Sequence, residues 1–469
     1  MKNKYDYLVI GSGPAGHVSA IRAAQLGMKV AIVEKDPAML GGVCLNEGCI
    51  PAKSLYHSAE ILDIVRKDAA LCGLDVKCGP VDASKFVKKS REDAEQLKKG
   101  LTFLFKKNGI DVIEGFARFI DSGTVEISGK NGDVSEVKAE KFLIATGSVP
   151  RQLPGVPFDG KRILSSSHAI RMQDIPKKIL IVGGGYIGTE FASYFNILGS
   201  EVTVVEALGS ILATEDSDIS RRMQIIFKQR GIEVLAESKV EGVTAGESSV
   251  TVTIGDDNGG ETVQLCDMVI VSVGRDPVAS DIGLEKAGVE TDDRGFIVID
   301  ENMRTSVKNI FAAGDVTPGP MLAHSGYAEG EAAAETAAGN DPEPVDFNCV
   351  PRVVYTDIQV ARVGMTEDEA RDQKLEYSVG KQFFKANGKA VVISRTEGFI
   401  KIVADNKTRE FLGAHIIGHD AADLIHEFAV AKRAGLSVDE VAKTVHAHPT
   451  ISEAAVDACK SVFGKPIHG

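Results

Sequence analysis

The sequence predicts an α/β protein in three parts, two built on one repeated plan and a third of mixed α+β type. Two observations predict it. A pattern of strand, glycine-rich turn, helix, strand and acidic residue runs twice through the chain, and the stretch after position 345 lacks it while still alternating short strands with helices. A chain of 469 residues also exceeds what one hydrophobic core organises, so several domains are expected.

The first copy begins at Tyr5-Asp6-Tyr7-Leu8-Val9-Ile10, whose aromatic and β-branched residues favour a strand. It runs into Gly11-Ser12-Gly13-Pro14-Ala15-Gly16, a helix over Ala20 to Leu26, and a strand from Val30 to Val33 ending at Glu34. The second copy is Ile179 to Val182, Gly183-Gly184-Gly185-Tyr186-Ile187-Gly188, a helix, and Val202 to Val205 ending at Glu206. In both, the acid stands eighteen positions after the third glycine. A lone GxGxxG is weak, but two in strand–turn–helix–strand context make the fingerprint of Rossmann-like dinucleotide-binding domains. Gly11 and Gly183 make the tight turn, Gly13 and Gly185 let the backbone approach a pyrophosphate, and Gly16 and Gly188 let helix pack on strand. The helix N-terminus offers unpaired N–H groups and partial positive charge to the phosphates. A carboxylate accepts hydrogen bonds from a ribose diol and repels a 2′-phosphate, so Glu206 argues for NAD over NADP.

The connecting segments complete the plan. A long helix is predicted over about Ala83 to Lys107, and Lys141 to Ile144 reads as a strand ending in Ala145-Thr146-Gly147. Met268 to Val273 is a strand before Gly274-Arg275, and Asn309 to Ala313 a strand ending in Gly314-Asp315. Gly339-Asn340-Asp341-Pro342-Glu343-Pro344 is turn-rich and marks a boundary. Beyond it, Val391-Val392-Ile393 and Phe399 to Ile402 are predicted strands of a separate α+β domain with C-terminal helices.

Composition excludes some functions. The net charge is −13 and no Lys/Arg run supplies the basic face of a nucleic-acid binder. No uninterrupted apolar stretch approaches the roughly 20 residues that span a bilayer, so no membrane partner is expected. Met1 to Gly11 enters a strand almost at once, and a cytoplasmic location is expected. Of seven cysteines, Cys72, Cys78, Cys266, Cys349 and Cys459 have no suggestive spacing and read as ordinary thiols in a reducing compartment.

Cys44 and Cys49 differ. They flank Leu45-Asn46-Glu47-Gly48, after Gly41-Gly42 and before Ile50-Pro51-Ala52-Lys53. A cluster of the C-x₄-C-x₂-C type fails because position 52 is Ala, and no other metal ligand set presents itself. Incidental thiols and a redox-active disulfide both stay open on spacing alone. In a regular helix, Cα atoms five residues apart lie roughly 8–9 Å apart, whereas a disulfide wants no more than about 7 Å. Bonding therefore requires a break in the helix, which Gly48 permits.

Together these residues resemble the pyridine nucleotide–disulfide oxidoreductases. Gly41 to Lys53 is similar to that family's active-site signature, and His446-Ala447-His448-Pro449-Thr450-Ile451-Ser452-Glu453 to the histidine motif of its lipoamide-oxidising branch. The resemblance covers nearly the whole chain in order. It implies FAD at residues 1–150 (first part of its domain, carrying the disulfide) and 277–345 (second, central part), NAD at 151–276, and an interface and dimerisation domain at 346–469. FAD would be held by Gly11, Gly13, Gly16, Glu34, Gly42, Lys53, Thr146, Gly147, Asp315 and Ala323, with Asp315 on the ribityl chain. NAD would be held by Gly183, Gly185, Gly188, Glu206 and Gly274. Cys49 would be the flavin-side sulfur and charge-transfer thiolate, and Cys44 the outer sulfur that exchanges with substrate. Lys53 would approach flavin N5 and pair with Glu190. His448, oriented by Glu453, would be the acid/base serving the other subunit of a homodimer. The implied reaction oxidises dihydrolipoyl groups on a lipoyl-domain protein and reduces NAD⁺.

The chemistry accords with those residue types. A thiolate, not a thiol, attacks a disulfide, so a dithiol substrate needs a base, and histidine titrates in the right range. The reading of His446 and His448 as a metal-binding His-x-His finds no further ligands nearby. Glu206-Ala207-Leu208 replaces the arginines of NADPH-using relatives, and the C-terminus, Phe463 to Gly469, carries no second cysteine pair. Two departures stand out. Tyr355 to Ala361 lacks the family's usual Pro-Glu, which bears on the interface, and Glu47 puts a charge between the cysteines. Alternatives are an NADH-dependent reductase of another small disulfide, or a non-catalytic flavin redox subunit.

Overall fold

The computed structural model describes residues 4–256 and 259–468. They gather into two compact units. One takes the described residues up to Leu55 with Ser84–Arg151 and Gly274–Phe347, and the other takes Tyr56–Ala83, Gln152–Val273 and the chain from Asn348 onward.

The first unit is organised by a sheet in the order Asp111–Glu114, Val30–Glu34, Lys4–Ile10, Val134–Ile144, with Ile310–Ala312 also pairing with Val134–Ile144, all parallel. The antiparallel strands Thr124–Ser128 and Phe116–Asp121 extend it. Central strands are apolar on both faces, as parallel strands covered on two sides must be. Val30, Ile32, Val33, Leu8, Val9, Leu143 and Ile144 are all buried, each such side chain contributing about 1.5–3 kcal/mol of hydrophobic stabilisation. Register sets the site. Ile10 lies opposite Val33 and Ile144, and Ile144 opposite Ala312. Gly11, Glu34, Ala145 and Ala313 therefore emerge together at the carboxyl ends, where open α/β sheets bind ligands. The predicted helix is present as Ala83–Lys107.

The second unit repeats the plan. Its parallel sheet runs Glu233–Leu235, Glu201–Val205, Lys178–Val182, Met268–Val271, Ile163–Leu164. A three-stranded antiparallel sheet, Ser238–Ala245, Val250–Asp256 and Glu261–Cys266, packs its apolar face on it. The remainder is a five-stranded antiparallel sheet, Arg352–Val354, Gln359–Gly364, Phe411–Gly418, Phe399–Asp405, Tyr377–Phe383, covered by helices including Ala421–Arg433 and Glu453–Ser461. The predicted Phe399 to Ile402 strand is present. The predicted Val391-Val392-Ile393 strand is not: Gly388–Val392 is a short helix. The Asn387 side chain caps it by accepting the Ala390 N–H at 2.9 Å, and Val391 and Val392 are exposed, so no apolar face pulls them into a sheet.

One charged cluster is buried within this unit. Lys401, fully buried in the Phe399–Asp405 strand, donates to Asp216 at 2.7 and 2.9 Å, to Asp218 at 2.7 Å, and lies 2.6 Å from Glu367. Asp216 caps the Ser217–Gln229 helix and Asp218 sits in its first turn. Burial raises Asp218, but Lys381 and Lys401 outweigh it and hold the carboxyl at about 2.

Candidate active site

Each glycine fingerprint forms a cradle. Gly16 and Gly188 stand where a Cβ would fall 1.9 Å from the oxygens of Gly11 and Gly183, so only glycine lets the helix start so close to the strand end. Gly185 has nothing within 4 Å of its missing Cβ, and Gly13 only Gly42 Cα at 4.0 Å. Each N-caps its helix, Pro14–Gln25 and Tyr186–Leu198, without a side-chain cap, so first-turn N–H groups are left for a ligand. The two acids take the same pose. Glu34 accepts from Ser12 N at 3.1 Å and Ser12 Oγ at 2.5 Å; Glu206 accepts from Gly184 N at 2.6 Å and Leu208 N at 2.8 Å. The repeat recognised in the sequence is thus a repeat of local geometry, and the cradles fit two dinucleotides.

Around the first cradle the structure gathers other expected residues. Asp315 accepts from Ser148 Oγ at 2.5 Å, Thr146 Oγ1 donates to Val278 O at 2.5 Å, and Gly147 has φ +74. Ala323 opens the Ala323–Ala338 helix. Gly42 packs so tightly on the turn that its Cβ would lie 2.5 Å from Gly13 Cα. Gly274 belongs to this same unit, with its carbonyl accepting from Arg151 N at 3.0 Å, whereas Gly183, Gly185, Gly188 and Glu206 belong to the other. Arg275, which sequence reading missed, clamps the site by donating to Ser148 Oγ at 2.6 Å and Ser148 O at 2.7 Å, 3.7 Å from Asp315.

The cysteines straddle a helix break. Gly42–Glu47 is one helix, Cys49–Lys67 another, and Gly48 between them has φ −138 and ψ −117. A Cβ there would crowd Val43 O at 3.1 Å and Cys44 Cα at 3.2 Å. The fold at this residue returns Cys49 onto Cys44, and the two thiols are in hydrogen-bonding contact, near disulfide distance. That contact, then burial, pushes the Cys44 thiol well up, while the Lys53 charge pulls it down. Lys53 stands one turn after Cys49 on the same helix. Asn46, also missed in the sequence, ties the short helix to its surroundings through Leu40 O at 3.0 Å and Gly42 O at 2.9 Å, and its own carbonyl accepts from Arg91 at 2.5 Å.

In the second unit, Glu190 lies buried in the Tyr186–Leu198 helix, accepting from Tyr355 N at 2.8 Å and from the Tyr56 hydroxyl. Asp357, part of the Tyr355 to Ala361 departure, pairs closely with Arg230 and accepts from Ser193 Oγ at 3.0 Å. His448 presents Nδ1 to Glu453 at 3.0 Å, which requires a proton on Nδ1 and leaves Nε2 as the basic nitrogen. The ring is 78% exposed. The Thr450 N–H at 2.9 Å, then His448, hold Glu453 below the usual carboxylate range, so it stays ionised beside the imidazole. His446 is engaged at both nitrogens, with Thr444 O at 3.1 Å and Glu427 at 2.8 Å. No described helix is long and apolar enough to cross a membrane.

Comparison with known proteins agrees with this geometry. Residues 5–330 match the family model "Pyridine nucleotide-disulphide oxidoreductase", and residues 350–459 its dimerisation domain. The chain is 41% identical to dihydrolipoyl dehydrogenase, mitochondrial, of Pisum sativum, over 99% of this chain and 92% of that protein. It is 39% identical to the dihydrolipoyl dehydrogenase of Geobacillus stearothermophilus, over 99% and 97%. Among solved structures, LpdA from Mycobacterium tuberculosis superposes with a TM-score of 0.90 at 26% identity, covering 97% of this chain and 99% of that one. Twin dinucleotide cradles, a thiol pair across a helix break and full-length likeness lead to one conclusion: the chain belongs to the pyridine nucleotide-disulphide oxidoreductases.

Proposed function

We propose that the protein is a dihydrolipoyl dehydrogenase: a protein-bound dihydrolipoyl dithiol and NAD⁺ become the lipoyl disulfide, NADH and a proton. The observation that carries the reading is the contact between the Cys44 and Cys49 thiols across Gly48. FAD and NAD are its cofactors. FAD, when bound, supplies the two-electron link between the dithiol and the pyridine nucleotide. Gly11, Gly13, Gly16, Glu34, Gly42, Thr146, Gly147, Asp315 and Ala323 would hold FAD, while Gly183, Gly185, Gly188, Glu206 and Gly274 would hold NAD. Lys53 and Glu190 keep the flavin-side roles that the resemblance gives them.

The thiol chemistry follows from the residues present. His448 Nε2 takes a proton from one substrate thiol, and the imidazolium formed is stabilised by Glu453. The substrate thiolate attacks Cys44 of the oxidised pair, forming a substrate–Cys44 disulfide and releasing Cys49 as thiolate. The second substrate sulfur then displaces Cys44. The substrate leaves oxidised and the enzyme pair reduced. Because His448 is exposed on its own chain, we assign it to the thiol pair of a second copy in a homodimer. The dimerisation-domain match and the exposed Val430, Val445 and Ile467 support this assignment. A lipoyl-domain protein is the proposed partner. The proposed location is the cytoplasm. The functional division proposed is 1–150 and 277–345 for FAD, 151–276 for NAD and 346–469 for the interface.

The test is NAD⁺ reduction by dihydrolipoamide. Wild-type enzyme should turn it over. His448→Gln should slow the thiol half-reaction about 10²–10⁴-fold while sparing flavin reduction by NADH. No turnover with dihydrolipoamide, alongside brisk turnover of another disulfide with NADH, ends the assignment.

A further inference from the structure

The Ala323–Ala338 helix lies against the Pro14–Gln25 helix in the first unit. The approach is close: a Cβ on Gly330 would fall 2.2 Å from Ala15 O, and one on Gly326 3.4 Å from Ala15 N. Tyr327, between those glycines, packs edge-on against His17, ring centroids 5.7 Å apart at 62°. Despite that support the tyrosine remains 42% exposed. Gly42, at the start of the short helix that bears Cys44, packs on the same glycine turn. Burial, then the charges of Cys44 and Cys49, push the Tyr327 phenol up from its ordinary value. The ring therefore stands beside the Gly11–Gly16 turn on which the Cys44 helix is packed, and it keeps its hydroxyl proton.

We propose that Tyr327, braced by His17, is a specificity-determining residue whose ring receives the sulfur and hydrocarbon of a dithiol substrate as it meets Cys44. The proposal rests on the thiol-exchange reading above. An aromatic ring suits that ligand class, since it attracts polarizable sulfur and buries an aliphatic chain at the same time. Tyr327 is a binding residue, separate from the proton-transferring His448.

The experiment compares Tyr327→Ala, Tyr327→Leu and Tyr327→Phe as FAD-loaded full-length enzymes, with dihydrolipoamide as the probe. Ala and Leu should raise KM for dihydrolipoamide about 3- to 10-fold with kcat within about twofold, and Phe, which keeps the ring, should restore KM. NADH-driven ferricyanide reduction, which bypasses the dithiol, should not change. Leu is included because it keeps bulk in place should the Ala variant fail to fold. A KM unchanged in Ala or Leu overturns the proposal, as does a Phe variant as impaired as the other two. An inactive wild type overturns the parent reading and this one with it; an active wild type with unaffected variants removes this one alone.

Discussion

Lys401→Met tests how much the buried charge cluster contributes. Wild-type Lys401 satisfies three carboxylates at 2.6–2.9 Å in a fully buried position. Removing it leaves Asp216, itself fully buried, beside Asp218 and Glu367, with Lys381 and, at 3.5 Å, Arg221 as the cations still on Asp218. Breaking a buried pair by deleting one partner costs about 3–5 kcal/mol. At roughly 2–4 °C per kcal/mol for a domain of this size, the unfolding transition of the second unit should fall by about 6–20 °C at pH 7. The pH dependence follows in sign. Asp218, held at about 2 against an ordinary value near 3.9, contributes stability above about pH 4 that is lost as pH falls through 2. Its shift corresponds to about 2–3 kcal/mol, trimmed to about 1–2 by solvent screening at this partly exposed group. Lys401 is raised by its carboxylates against the lowering effect of burial, so its contribution is full below about pH 10 and lost as pH rises through its folded value. In Lys401→Met the stranded carboxylates protonate instead, so the deficit should shrink between pH 7 and pH 4. Calorimetry at both pH values measures it. An unchanged melting temperature at pH 7, or a deficit that does not shrink at pH 4, would refute the reasoning.

Two further outcomes follow from the site. Gly48→Ala places a methyl 3.1 Å from Val43 O and 3.2 Å from Cys44 Cα. Relieving that crowding costs about 1–3 kcal/mol and moves the thiols apart, so dihydrolipoamide oxidation should drop about 5- to 150-fold, while NADH still reduces ferricyanide; turnover within twofold of wild type refutes it. Glu206→Ala removes the acid proposed to discriminate against a 2′-phosphate, and the NAD-over-NADP ratio of kcat/KM should fall about 10- to 100-fold; an unchanged ratio means that Glu206 does not read the ribose.

What the sequence revealed was local. The two fingerprints, the cysteine pair and the His448–Glu453 contact each need no more than about thirty consecutive residues, and each falls into place by short-range geometry. The requirement that the helix break at Gly48 was legible because five-residue spacing in a continuous helix cannot bring two sulfurs together. Long-range features were not. Lys401 sits in an apolar strand, Phe399 to Ile402, and nothing nearby announces that its partners are Asp216 and Asp218, over 180 positions earlier. Tyr327 and His17 are likewise ordinary residues until two helices bring their rings together edge-on. Val391 to Ile393 are β-branched like a strand, but the Asn387 cap starts a helix there instead.

The motif near the C-terminus holds two imidazoles a residue apart, and the structure gives them unequal freedom. With a carbonyl on one nitrogen and a carboxylate on the other, His446 is committed as a brace, closing the loop onto the helix that carries Glu427. The other ring, His448, has its Nδ1 on Glu453 and stands largely exposed. Duplication here is a division of labour: one histidine ties the loop down, and the other presents an exposed ring to whatever approaches it.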